Sequence, residues 1–269
     1  MDIIQVITDE LKVQKWQVEA AVKLIDEGCT IPFISRYRKE ATGSLNDEQL
    51  RTLHERLLYL RNLEDKKNQV LTSIEEQGKL TPELKKQILD AKTLVVVEDL
   101  YRPYRPKRRT RAIIAKEKGL EPLANIIMLQ MTKKPLEEEA KAFLSEEKGV
   151  ETVEDALNGA KDILAETISD EADYRIYIRD LTMKKGSVAS AAKKPEESSV
   201  YEMYYEFEEP IKKLAGHRVL ALNRGEKEKI LTVKVNAPEE EILGWLQKQV
   251  LAKDNPITTP VLREVVEDS

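Results

Sequence analysis

The sequence predicts a mainly α-helical chain: an elongated multi-helix domain with a long central helix, followed by a small α+β part containing a β-hairpin. Three observations lead there. The composition is 41% hydrophobic and 35% charged, with 10 glycines and 3 phenylalanines in 269 residues, which suits charged helices better than a turn-rich sandwich. Before Gly186, apolar residues recur at spacings of three and four, the helical period. Beyond it, Val219–Leu222 and Ile230–Val235 are short β-prone runs flanking Asn223, Arg224, Gly225 and Glu226, which supply turn chemistry.

Taken in order, Ile3, Ile4, Ile7 and Leu11 fit a first amphipathic helix, and Val18, Ala21, Val22 and Ile25 fit a second that stops at Gly28. Thr30 is placed to cap a third helix through Phe33, Ile34 and Tyr37, with Pro32 in its first turn and a stop near Gly43. Asn46 with Gln49 reads as a capping box opening the longest helix. Its seam is Leu50, Leu53, Leu57 and Leu60, resumed by Leu71 and Ile74 after Glu64 and Lys67 interrupt it, and it ends at Gly78. Thr81, Pro82 and Glu83 restart a helix at once, so the seam is read as one side of an intramolecular hairpin of helices, and a monomer is expected.

Thr110 caps a further helix through Ile113, Ile114 and Lys118, stopped by Gly119, and Pro122 lies near the next start. Helical patterns follow over Leu136–Leu144 and Val153–Met183, the second breaking near Ser169 or Asp170 because its apolar stripe changes face. Residues 187–199, rich in Ser, Ala and Lys, read as a linker. The expected division is therefore a helical domain over 1–186, a linker over 187–199, and an α+β segment over 200–269 with a hairpin near 219–235. Glu239, Glu240 and Glu241 suit a helix first turn, and Leu262–Val266 begins a last amphipathic run with no stop signal, as though the chain were truncated.

Several function classes are disfavoured. One cysteine, Cys29, and two histidines, His54 and His217, give no zinc spacing, and neither GxGxxG nor GxxxxGK[ST] occurs. Cys29 is read as a small buried residue in a reducing compartment. Acid groups such as Asp162 with Glu166, or Asp170 with Glu171 and Asp173, read as solvated helix faces. No metal, cofactor or catalytic residue is expected, and the chain is not expected to be an enzyme. No segment has the ~20 apolar residues that span a bilayer, so a cytoplasmic protein is expected.

The charge is patchy. The net charge is -5, yet Arg102, Arg105, Lys107, Arg108, Arg109 and Arg111 fall within ten residues that contain no acid. Pro103 and Pro106 disfavour helix there, so these cations should fan out from a stiff loop, with Tyr101 and Tyr104 between them. Guanidinium groups suit phosphate oxygens and tyrosine rings stack on bases, so RNA or DNA is the expected partner. The candidate contacts are Tyr104, Arg105, Lys107, Arg108, Arg109 and Arg111. Arg36, Arg38 and Lys39, in the second basic segment IPFISRYRKEATG, join them, although helical arginines in such a setting are ordinarily expected to pair with acids of neighbouring helices.

IPFISRYRKEATGSL, EDLYRPYRPKRRTRAIIAKEKGLEPLA and GHRVLALNRGEKEKILTVKV together strongly resemble the N-terminal region of the bacterial Tex proteins. That resemblance implies a transcription accessory factor, similar to eukaryotic elongation factors that travel with RNA polymerase. It also implies that an RNase H-like domain, helix-hairpin-helix motifs and an RNA-binding OB-fold follow this segment in full-length members. RNA polymerase, the ribosome or those further domains then become the alternative partners of the basic loop. Arg102 stands where the family commonly has an apolar residue, which argues against a phosphate contact for that side chain.

Overall fold

A computed structural model describes residues 1–269, with fourteen α-helices and three strands. The chain forms two compact units, Met1–Tyr104 and Arg105–Ser269. The division falls inside the basic stretch and not at the expected 187–199 linker.

The first unit holds α1 (Ile3–Leu11), α2 (Lys15–Asp26), α3 (Ile31–Tyr37), α4 (Asp47–Glu76), α5 (Pro82–Asp90) and α6 (Leu94–Tyr101). Side chains of Asp2, Thr81 and Thr93 accept N-terminal backbone N–H groups of α1, α5 and α6. Thr30 takes the cap position of α3 but makes no side-chain cap bond. The Asn46–Gln49 capping box opens α4, whose 30 residues make it the longest helix, as the sequence predicts.

The seam of α4 buries Leu50, Leu53, Leu57, Leu60, Leu63, Val70 and Ile74 against its neighbours. Lys67 continues this seam and does not interrupt it, at 2% exposed. Its Nζ donates to the Leu89 carbonyl at 2.8 Å and lies 3.2 Å from Glu64 Oε1. Leu89 is in the last turn of α5, where carbonyls lack helical partners, so a lysine on α4 completes the end of α5. Leu71, expected on the seam, is only half-buried, with Val70 in its place; Cys29 is half-buried too.

The second unit contains α7 (Arg111–Glu117), α8 (Glu121–Leu129), α9 (Leu136–Lys141), α10 (Val153–Asp170) and α11 (Ala172–Lys185), then β1 (Ser187–Ala192), β2 (Glu206–Pro210), α12 (Gly216–Lys227), β3 (Leu231–Asn236), α13 (Glu239–Val250) and α14 (Thr259–Asp268). Thr110 caps α7, and the expected break separates α10 from α11 at Glu171, whose backbone is extended. α10 is the hub: Ala156, Ala160, Ile163 and Leu164 share one core with Ala112, Ala115, Leu120, Leu123, Leu262 and Val266. Gly159 permits the closest approach, since a Cβ there would lie 2.3 Å from Leu120 Cδ1.

The three strands form one antiparallel sheet in the order β2-β1-β3. This supports the predicted α+β part and its Ile230–Val235 strand, which is β3, but the other two strands lie elsewhere than expected. The presumed linker residues 187–192 are the central strand, pairing Val188 with both Glu209 and Val235. Small residues there carry little intrinsic signal, and a central strand is held by ladders on both sides. The predicted hairpin at 219–235 is also corrected: Val219–Leu222 lies in α12, and β3 pairs with β1. Gly225, read as a turn residue, is inside α12, where a Cβ would meet Leu231 Cδ1 at 2.6 Å. That glycine serves close helix–strand packing, not chain reversal.

Candidate nucleic-acid interface

The basic stretch starts where α6 stops. The Tyr101 hydroxyl is 3.0 Å from Ser73 Oγ on α4, and the Tyr104 carbonyl accepts from Gln77 Nε2 at 3.0 Å. Residues 102–110 are non-helical, as the prolines require, before Thr110 caps α7. Tyr101 and Arg111 themselves belong to the flanking helices.

Acids meet three of the four cations beyond Arg105, two of them across long stretches of sequence. Lys107 Nζ donates to Asp170 and lies 3.3 Å from Glu166, both on α10, with the Asp170 side chain 9% exposed. Arg109 pairs with Glu117 at 2.8 Å. Arg111 reaches Asp162 at 3.3 Å and Asp268 at 3.0 Å. Burial pushes the Asp162 carboxyl above its ordinary pKa although Arg111 opposes the shift, and the nearby Asp268 charge adds to the rise. Arg108 is exposed and has no carboxylate partner, and Arg105 is exposed.

The sequence reading therefore misplaced these acids. Asp162, Glu166 and Asp170 are not merely solvated helix faces, because they receive charges from 51 to 63 residues away. No local pattern announces that: Arg111 and Asp268 are 157 positions apart. The pairs nonetheless differ in kind. Lys107 is held in a partly buried pair, whereas the Arg109 and Arg111 side chains remain 69% and 70% exposed, and exposed ion pairs contribute only ~0–1 kcal/mol. Lys107 anchors the loop. Arg108, Arg109 and Arg111 can still turn toward an anion.

In the first unit the outcome is reversed. Arg36 lies in α3, while Arg38 and Lys39 follow its end. All three are exposed, and none forms an ion pair with an acid, contrary to the expectation for such arginines.

A profile of the Tex-like protein N-terminal domain matches residues 1–75, and one of the Tex central region matches residues 130–259. The chain is also 42% identical over 235 residues to the transcriptional accessory protein Tex of Neisseria gonorrhoeae, covering 87% of this chain and 31% of that one. The chain belongs to the Tex family, as its N-terminal region. Bacillus subtilis YdcI, an uncharacterized protein, is 47% identical over 268 residues, 98% of this chain and 37% of the relative. Human S1 RNA-binding domain-containing protein 1 is 32% identical over 257 residues, 91% of this chain and 25% of the relative. The chain thus spans well under half the length of these relatives. Arg36, Arg38 and Lys39 fall inside the first matched Tex segment, and Tyr104 to Arg111 fall between the two. No helix is long and apolar enough to cross a membrane.

Proposed function

We propose that this chain is the helical scaffold module of a Tex-type transcription accessory factor and that its basic loop contacts the phosphate backbone of RNA or DNA without reading sequence. The observation that carries the reading is Arg108, exposed and unpaired, between Arg109 and Arg111, whose ion pairs stay on the surface. Lys107 acts as the anchor that fixes the loop on α10. Names of relatives agree in kind, since one is called transcriptional accessory and another RNA-binding. The reading assigns no catalytic step to the chain. Cleavage of RNA or DNA that depended on magnesium or manganese would contradict that assignment.

The test is a triple variant, Arg108→Ala, Arg109→Ala and Arg111→Ala, with Lys107 retained. RNA, DNA and RNA polymerase binding are measured in parallel. The reading predicts equal loss for both nucleic acids with polymerase binding unchanged. A second reading, docking onto an acidic protein surface such as RNA polymerase, the ribosome or later Tex domains, is favoured by the carboxylates that already satisfy Arg109 and Arg111. It predicts the opposite pattern.

A further inference from the structure

The first unit carries a second surface that combines unpaired cations with exposed rings. Phe33, Arg36 and Tyr37 stand at i, i+3 and i+4 on α3 and so share one stripe, away from the buried Ile34. Phe33 and Tyr37 are 38% and 68% exposed, with ring centroids 5.4 Å apart. The Arg38 guanidinium lies over the Phe33 ring at 5.4 Å, which holds it beside the aromatic pair without neutralising it.

The turn that follows brings in Trp16. Thr42 N–H and Ser44 N–H donate to the Arg38 and Lys39 carbonyls, closing residues 38–44 into a compact turn. Gln17 Nε2 donates to the carbonyls of Thr42 and Gly43, tying α2 to that turn. Gly43 has φ +59, and a Cβ there would lie 2.5 Å from the Trp16 ring, so the indole rests directly on the glycine backbone while remaining 51% exposed. Phe33 and Tyr37 on α3 and Trp16 against the turn are thus accompanied by three cations, Arg36, Arg38 and Lys39, against one acid, Glu40, over residues 36–40.

We propose that Trp16, Phe33, Tyr37, Arg36, Arg38 and Lys39 form a stacking site for single-stranded nucleic acid, separate from the basic loop. The rings offer faces to unpaired bases, and the three cations follow the backbone phosphates. This combination serves single strands, because a duplex keeps its bases stacked on one another and offers only phosphates. The loop supplies charge with little exposed aromatic surface and lacks that selectivity. The site stands whether or not the loop binds.

The test uses the full chain and a fluorescein-labelled 12-nucleotide oligouridylate, its deoxythymidine counterpart and a duplex of equal length, followed by anisotropy at 50 mM salt. Tyr37→Ala and Trp16→Ala are each expected to weaken single-strand binding about 5- to 100-fold and to leave duplex binding unchanged. The combined Arg36→Gln, Arg38→Gln and Lys39→Gln variant is expected to lower the single-strand salt slope by about 2. Both ring variants are checked for unchanged helical circular dichroism, and Tyr37 serves as the safer probe because its ring is mostly in solvent. In a Trp245→Phe background, Trp16 fluorescence should be quenched by oligouridylate, including when Arg108, Arg109 and Arg111 are alanine. Single-strand affinity insensitive to Tyr37→Ala would overturn the proposal. So would Trp16 quenching by a polyglutamate peptide with none by the oligonucleotides, which would make the surface a protein-binding one.

Discussion

Lys67 is a charged side chain held at 2% exposure within the leucine seam of α4. In the pattern it breaks a leucine seam, yet its stem fills that seam and its ammonium completes α5. Glu64 Oε1 meets it as an ion-pair partner outside hydrogen-bonding geometry. Lys67→Ala is expected to destabilise the chain by about 3 kcal/mol in urea unfolding, through a cavity and an unpaired Leu89 carbonyl. Lys67→Met restores volume but not the bond, so its cost should be about 1–2 kcal/mol. Equal stability of Lys67→Met and Lys67→Ala would show that packing is not part of the lysine's role. Gly159 makes a complementary case: Gly159→Ala should cost about 1–3 kcal/mol despite its better helix propensity, because its Cβ would strike the buried Leu120. A stabilised variant in the same unfolding assay would refute that packing account.

At the scale of elements, helix starts were legible because capping is local chemistry. Asn46 with Gln49, Thr81, Thr110 and the α10–α11 break are all where the residues indicate. Of the sheet, only β3 was legible, as the Ile230–Val235 run. Ser187–Ala192 is a strand because of its two neighbours, and the Asn223–Gly225 turn signal came from a glycine needed for packing. The basic loop shows the same limit. Its prolines and cations could be read directly, but the α10 carboxylates that pin Lys107 could not, since they arrive through the fold. If that pin holds the loop, Lys107→Ala should speed trypsin cleavage after Arg108 or Arg109 several-fold while far-ultraviolet circular dichroism stays unchanged. An unaltered cleavage rate would show that the prolines alone fix the loop.

For the whole molecule, the boundary after Tyr104 predicts that Met1–Tyr104 folds on its own as a helical unit. Its stability should also report on acid. Arg56 beside Glu10 and Arg61 beside Asp26 hold those carboxyls below their ordinary pKa. Burial pushes Glu64 upward, but the Met1 amine and Lys67 outweigh it and bring it below as well. A carboxyl depressed in the folded state stabilises at pH values above its unfolded pKa and loses that contribution as pH falls through the folded value. The Tm of this fragment should therefore be nearly flat above pH ~5 and fall as pH drops below ~4. A Tm that rose on acidification would contradict the assigned ion pairs.

The charge distribution of the whole chain matters most for what it binds. With a net charge of -5, polyanion binding must come from concentrated sites, and salt dependence counts the phosphates engaged at each. The most direct measurement is the slope of log Kobs against log salt concentration for a DNA duplex, taken for the native chain and for the Arg108→Ala, Arg109→Ala and Arg111→Ala variant. Three loop arginines on phosphates predict that the variant's slope is shallower by about 2–3. Identical slopes would mean that none of the three arginines engages phosphate, and the loop would not be a nucleic-acid contact.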